Sequence, residues 1–387
     1  MGSLNTIPKI LVVASKCPND PMDCDGGGRL VSDFSKILPR IAEQVDFLFL
    51  RKPVESWLAT YRHGKTHFID EENIHNDKFY SRVYASKAIA QIIQNTFDDH
   101  SIIIIVHASN AFGISEHAPD LLKHIILFPM FTSASYEKFG QRVPSEYRAL
   151  EKKALLGVRG VSSPSKTERD LICSQLPELK GAVSVIPRIV SLTPHKEETR
   201  PSPDNTVRFV NIASMKLQKN QIFLMHAVRK CLDHKINIEC HLVGGIQDQG
   251  YAQKVYDTID SLGLQDNVVI HGECLHSDVI RIAKRCHINV CTSYWETFCR
   301  GFYEGLLLGM PCVAPSDLNC IWENCIVDGR VKAFDRTTES FLSVVTEMMR
   351  NNDQYNLDDV ATYTYLFSEK RIASLLEKEL IIGVGPE

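Results

Sequence analysis

One pattern constrains this chain more than any other feature. Strand-length apolar runs separated by helix-length segments occur twice, on either side of a polar, proline-bearing stretch. In the first half, Lys9–Ala14, Val45–Leu50, Ile102–Ala108, Ile125–Phe131, Val158–Ser162 and Val183–Ile186 are sized for buried strands. Helices are expected over Leu30–Ala42, after the Gly26-Gly27-Gly28 turn, and over Tyr80–Gln94. Another is expected from Pro164 through Ser174, where proline suits a first helical turn. In the second half, strands at Val207–Ala213, Ile238–Val243, Val268–His271, Ile288–Thr292 and Cys312–Ala314 alternate with helices from about Gln221, Tyr251, Ser277, Gly301 and Thr338. Strands joined by helical crossovers imply parallel sheets with both faces covered. Residues 191–205 carry Pro194, Pro201 and Pro203 without apolar periodicity and read as a linker. A length of 387 residues suits two cores of about 150–200 residues each. The expectation is an α/β chain with Rossmann-like domains at 1–190 and 206–366, a cleft between them, and an amphipathic helix from Phe367 to Leu380.

Composition narrows the function classes. A net charge of −4 offers no basic footprint for nucleic acid. The 12 cysteines are scattered without a C-x-x-C pair, and Cys240, Cys291 and Cys312 sit inside apolar runs, which reads as reduced thiols in a cytoplasmic protein. The longest apolar stretches, Ile102–Val106 and Ile125–Met130, are strand-sized and too short to span a bilayer, and Lys9–Ala14 is too short for a secretory core. Met1-Gly2-Ser3-Leu4-Asn5-Thr6 fits the N-myristoylation pattern, which leaves peripheral membrane contact as an open reading. Gly64-Lys65-Thr66 is not a P-loop, because Ala59 stands where its first glycine belongs. Gly64 within His63-x-x-x-His67 argues against a helix presenting both histidines to a metal. No D-x-D triplet is placed for a metal–nucleotide site, so neither metal nor cofactor is expected.

The sharpest local feature runs from Ser293 to Ala314. A buried strand ends near Thr292 and a helix begins near Arg300 or Gly301, with Glu296 in the loop and Glu304 about one turn inside. The N-terminus of a helix offers unpaired N–H groups and the positive end of its dipole to a phosphate. Carboxylates beside it could accept hydrogen bonds from sugar hydroxyls, although Glu304 could equally serve only to favour the first helical turn. Three other places could carry chemistry. Lys216 and Lys219 lie in the polar turn after Phe209–Ala213. Gly244-Gly245 follows a strand. Ile102–Val106 delivers His107 to a strand end. By residue type alone, these read equally as a solvated turn, a tight turn and a capping histidine.

Glu296 and Glu304, followed by Gly309-Met-Pro311-Cys-Val-Ala314, resemble the E-x7-E element of the group one glycosyltransferases, a family of GT-B fold. The resemblance implies two Rossmann-like domains with parallel sheets facing a central cleft, and transfer of a hexose with retention from a nucleotide-sugar. The donor would be UDP- or GDP-linked, with glucose or mannose as the sugar. It implies that Glu296 contacts hydroxyls of the transferred sugar and Glu304 the ribose. Lys219 would neutralise the donor diphosphate, and His107 would lie beside the reacting sugar. Gly27 and Gly28 would face the phosphates, and Gly244 would lie near the base. Arg300 opens the helix whose N-terminus would stabilise the leaving phosphate. Two departures stand out. The usual Gly-Phe-Gly after the first glutamate is Thr297-Phe298-Cys299, and the usual arginine after the first strand of the second domain is Ser214, which makes Lys216 a candidate second cation. The acceptor, whether glycan, lipid, protein or small molecule, is not encoded in any recognisable motif. A sugar-nucleotide epimerase of the same fold, or a degenerate nucleotide-sugar-binding protein, is the alternative.

Overall fold

The computed structural model describes residues 7–15, 17, 26–50, 53, 55–69, 78–96, 102–138, 140–190, 192, 205–325, 330–350 and 360–382. The Met1–Thr6 motif, and the 191–205 segment apart from residues 192 and 205, lie outside them. The chain divides into two units, Met1–Ile189 with Glu369–Glu387, and Val190–Ser368.

Among the described residues, the first unit holds seven parallel strands: β1 Ile7–Ala14, β2 Ala42–Phe49, β3 Thr66–Phe68, β4 Ile102–Val106, β5 Ile125–Phe128, β6 Gly160–Ser163 and β7 Val183–Val185. Their order is β3-β2-β1-β4-β5-β6-β7. The second unit holds six: β8 Val207–Ile212, β9 Ile238–Val243, β10 Val268–Gly272, β11 Ile288–Val290, β12 Cys312–Pro315 and β13 Val331–Phe334, in the order β10-β9-β8-β11-β12-β13. Strand order therefore reverses between β1 and β4 in one unit and between β8 and β11 in the other. In open parallel sheets, the ends of the strands flanking such a reversal leave a crevice that neighbouring crossovers do not fill.

Each sheet is buried on both faces, which is why its strands read as nearly continuous apolar runs rather than as alternation. Along β1, Ile10, Val12 and Ala14 pack with Phe34 of the helix Gly26–Ile37 and with Leu376 and Leu380 of the helix Glu369–Ile382. Leu11 and Val13 face the opposite way, onto Ile89 and Ile93 of the helix Lys78–Thr96. In the second unit, Val210 packs with Phe302 and Leu306, while Phe209 packs with Leu224 and Val228.

Several boundaries differ from the sequence reading, each for a local reason. The helix expected to reach Ala42 ends at Ile37, because Pro39 enters a 3-10 turn over Leu38–Arg40 and Ala42 already starts β2. The Gly26-Gly27-Gly28 segment is the first turn of that helix rather than a turn before it. Pro164 does not open its helix. Ser165 caps Lys166–Gln175, its hydroxyl accepting the Glu168 N–H, so the proline sits just outside. The helix expected from Phe367 to Leu380 begins at Glu369 and runs to Ile382; a separate helix, Val360–Leu366, precedes it, and Phe367 between the two is fully buried in the second unit. The expected strand ends at Ala108, Phe131 and Thr292 run beyond the ladders, where the chain leaves the sheet. The short strands β3 and β13 carry too few residues to show a period.

Candidate functional site

In the second unit, both strands that flank the reversal end in residues tied to one another. After β8 the chain turns through Ser214–Lys216 into a 3-10 turn, Leu217–Lys219. Asn220 then takes a left-handed conformation (φ 54) and starts the helix Gln221–Asp233. After β11, the loop of residues 292–299 leads into the helix Arg300–Leu307. The Thr292 hydroxyl donates to the Lys219 carbonyl at 2.9 Å, the Tyr294 N–H to the Gln218 carbonyl at 2.9 Å, and the Gln218 side-chain amide to the Trp295 carbonyl at 2.8 Å. Beneath this, Asn211 of β8 donates to the Val290 carbonyl of β11 at 2.7 Å.

This bracing brings Lys219 and Glu296 together, 77 residues apart in sequence. The ammonium donates to Glu296 Oε1, which also accepts the Ser293 hydroxyl at 2.7 Å. Burial works against the charge on Lys219, but the adjacent Glu296 carboxylate outweighs it and holds the ammonium above its ordinary value. Lys219 therefore stays cationic at neutral pH.

Glu304 is buried on the helix Arg300–Leu307, and His276 Nε2 lies 3.0 Å from its Oε1. His276 opens the helix after β10, and no spacing in the sequence connects it to Glu304. The helix carrying Glu304 packs tightly on β8. A Cβ added at Gly301 would lie 2.4 Å from the Ile212 carbonyl oxygen, and one at Gly305 would lie 2.3 Å from the Asn289 amide nitrogen. Asn289 in turn donates to the Gly301 and Phe302 carbonyls.

The remaining expected residues fall as follows. Gly244 has φ 150 and no room for a Cβ, which would meet the Ala213 carbonyl oxygen at 2.3 Å, so the turn after β9 closes against the end of β8. Ser214 is half-buried, and its carbonyl accepts the Gln221 amide at 3.0 Å. Lys216 is half-buried before the 3-10 turn, and Thr297 and Arg300 are half-buried at the helix mouth. Phe298 points into the core, its ring 4.8 Å from that of Tyr303 and 5.4 Å from that of Phe367. It supports the loop from below. Cys299 takes φ 65 just before the helix, with its Sγ 3.5 Å from that of Cys291. The roles of Asn211, Thr292 and His276 escaped the sequence reading: Asn211 and Thr292 meet their partners only because β8 lies beside β11, and His276 reaches Glu304 only through the helix after β10.

In the first unit, Gly27 and Gly28 lie in the first turn of the helix after β1, and His107 directly follows β4, so these too flank the strand reversal. His107 has φ 74 and ψ 127, a conformation that costs a non-glycine residue about 1–3 kcal/mol, and its N–H donates to the Phe128 carbonyl at 2.9 Å. Glu137 and Lys138 belong to the short helix Ser133–Lys138 after β5, and Glu137 pairs with Arg148 at 2.9 Å. Arg142 is exposed. Below that helix, Glu151 accepts the Ser133 N–H and hydroxyl, and Glu168 accepts the Ser135 hydroxyl at 2.9 Å. Burial pushes both carboxyls up to about 7 against the pull of these hydrogen bonds.

Residues 194–353 match the model of the glycosyl transferases group 1 family. Over that span the chain is similar to the group 1 glycosyltransferases. Solved structures agree on the fold across the whole chain. Sucrose-phosphate synthase from Thermosynechococcus elongatus is 14% identical with a TM-score of 0.78, over 96% of this chain and 98% of that one. A glycosyltransferase from Rickettsia africae is 18% identical (TM-score 0.71; 97% and 99% covered). Anabaena HepE, solved with UDP and glucose, is 15% identical (TM-score 0.73; 96% and 99% covered). The fold is GT-B. No curated protein sequence matches the chain significantly. Among the described residues, no group of three or more His, Cys, Asp or Glu could hold a metal ion, and no helix is long and apolar enough to cross a membrane.

Proposed function

We propose that this chain is a retaining hexosyltransferase that takes glucose or mannose from a UDP- or GDP-sugar and passes it to an acceptor hydroxyl without a metal ion. The observation that carries this reading is the Lys219–Glu296 pair set beside the start of the helix Arg300–Leu307. The chemistry that limits such a transfer is departure of a nucleoside diphosphate, whose oxygens gain charge as the glycosidic bond breaks. A lysine held in its charged form and the first-turn N–H groups of a helix stabilise that charge without reorganising. Glu304, with His276 against it, would accept ribose hydroxyls. Glu296, oriented by Ser293, would accept hydroxyls of the sugar. The departing diphosphate would take the acceptor proton on the same face, which accounts for retention with no carboxylate acting as nucleophile. HepE was solved with UDP-glucose, which makes that donor the first to try.

The test is incubation with UDP- and GDP-linked glucose and mannose, with and without a panel of acceptor sugars. Slow release of free sugar without acceptor, and an acceptor product in the donor's anomeric configuration by proton NMR, are expected. Inverted product would overturn the retaining mechanism. No turnover of any donor would overturn the transferase reading.

A further inference from the structure

Cys291 and Cys299 mark the two ends of the loop that carries Ser293 and Glu296. Cys291 is anchored where the chain leaves β11, its N–H donating to the Val313 carbonyl at 2.8 Å. Cys299 occupies a left-handed backbone position (φ 65) that glycine adopts freely and other residues resist. Its carbonyl accepts the first hydrogen bond of the helix Arg300–Leu307, from the Phe302 N–H at 3.1 Å. The unfavoured conformation places a side chain where a glycine would place none, and that side chain ends with its sulfur 3.5 Å from Cys291 Sγ. Cys320 is also buried nearby, but only Cys291 and Cys299 are hydrogen-bonded to one another.

We propose that Cys291 and Cys299 are an oxidisable pair, converted by hydrogen peroxide to a disulfide that closes the base of the Glu296 loop and weakens donor binding. The effect on the donor rests on the function proposed above. The formation of the bond does not. Hydrogen bonding from Cys299, the largest influence, holds the Cys291 thiol below its ordinary value, while Cys299 is held far above it, which makes Cys291 the first nucleophile. The Cys291 thiolate attacks one peroxide oxygen, the O–O bond breaks, and hydroxide leaves and is protonated to water. Cys299 sulfur then attacks the resulting sulfenic acid. The S–S bond forms, the S–O bond breaks, and the thiol proton leaves with the hydroxide as a second water. Two thiols are oxidised and one peroxide is reduced to two waters.

A disulfide is about 2.05 Å long, so the sulfurs must approach by about 1.5 Å. Cys291 is fixed in the sheet, so Cys299 and the helix start move instead. These are the groups that set the position of Glu296 and of the first-turn N–H groups relative to Lys219. A dithiol reverses the bond by thiol–disulfide exchange.

The full chain, reduced and then titrated with hydrogen peroxide, is alkylated, digested and mapped by mass spectrometry, with donor affinity measured in parallel for UDP-glucose. The expected result is a Cys291–Cys299 bond as the first disulfide formed, with at least a tenfold loss of donor affinity, both reversed by dithiothreitol. C291A should show the same donor affinity with and without peroxide treatment. A first disulfide elsewhere, or none, overturns the pair. A mapped bond with unchanged donor affinity overturns the coupling to the site. If the reduced protein binds no nucleotide-sugar, the function reading fails. The peptide map and hydrogen exchange across residues 292–300, which the bond slows, then still decide the pair.

Discussion

Glu296 receives both an ammonium and a hydroxyl in a site where it is almost fully buried. A pair of this kind owes its alignment to its surroundings, and removal of either partner strands a buried charge. Lys219→Ala and Glu296→Ala are each expected to lower kcat/KM by about 10²–10³. The double variant should lose little more than the worse single variant, since the two groups act together. Steady-state kinetics with a saturating acceptor checks this. His276 acts on Glu304 rather than on the reacting atoms, so His276→Ala should raise the donor KM about tenfold, the worth of one charge-assisted hydrogen bond, with little change in kcat. Glu151 and Glu168 set a pH dependence of stability. Their folded-state values near 7 lie above the ordinary 4.5, so between those limits the folded chain keeps protons that the unfolded chain has released. Stability is therefore fully present below about pH 4.5, falls by about 1.4 kcal/mol per pH unit for each group as pH rises toward 7, and levels off above it. Glu168→Gln should roughly halve that slope in thermal melts from pH 5 to 8.

At the scale of elements, the site depends on how closely the helix Arg300–Leu307 approaches β8. Gly301 permits that approach, Gly305 lets the same helix settle against Asn289 of β11, and the hydrogen bonds of Asn289 to Gly301 and Phe302 fix its depth. Gly301→Ala should force the helix outward, because its Cβ would meet a backbone oxygen rather than a flexible side chain. A cost of about 1–3 kcal/mol in stability is expected, together with a higher donor KM, measurable by denaturant unfolding and donor titration. The E-x7-E spacing was visible in the sequence as two carboxylates about a loop and a turn apart. The loop that separates them was not, since Gln218 and Lys219 of a different element hold it in place.

For the whole molecule, the last helix belongs with the first unit although the chain reaches it only after the second. Ile372, Leu376 and Leu380 are almost fully buried there beside β1 and the helix Gly26–Ile37. Three such side chains contribute about 5–9 kcal/mol together. That is comparable with the total stability of an ordinary domain, roughly 5–15 kcal/mol. The exposed Arg40–Glu369 pair adds little by comparison. Deleting residues 369–387 should therefore unfold the first unit while leaving the second intact. Calorimetry would show one transition lost, and limited proteolysis would leave a fragment close to residues 190–368.

The sequence by itself determined the class of the fold. Apolar runs of strand length, separated by helices, can bury both faces only in parallel sheets, and that rule needs no partner from elsewhere in the chain. It also offered Glu296, Glu304 and Lys219 as candidates at strand-to-helix junctions, singled out by their resemblance to the E-x7-E family rather than by position alone. Tertiary structure decided which junctions meet. The placement of β8 beside β11 joins Lys219 to Glu296, the return of the helix after β10 brings His276 to Glu304, and the fold of the loop after β11 sets Cys291 against Cys299 and turns Phe298 into the core. Periodicity reports which face of an element is buried. The order of strands in a sheet is a matter of long-range packing, and the contacts that order creates have no trace in local spacing.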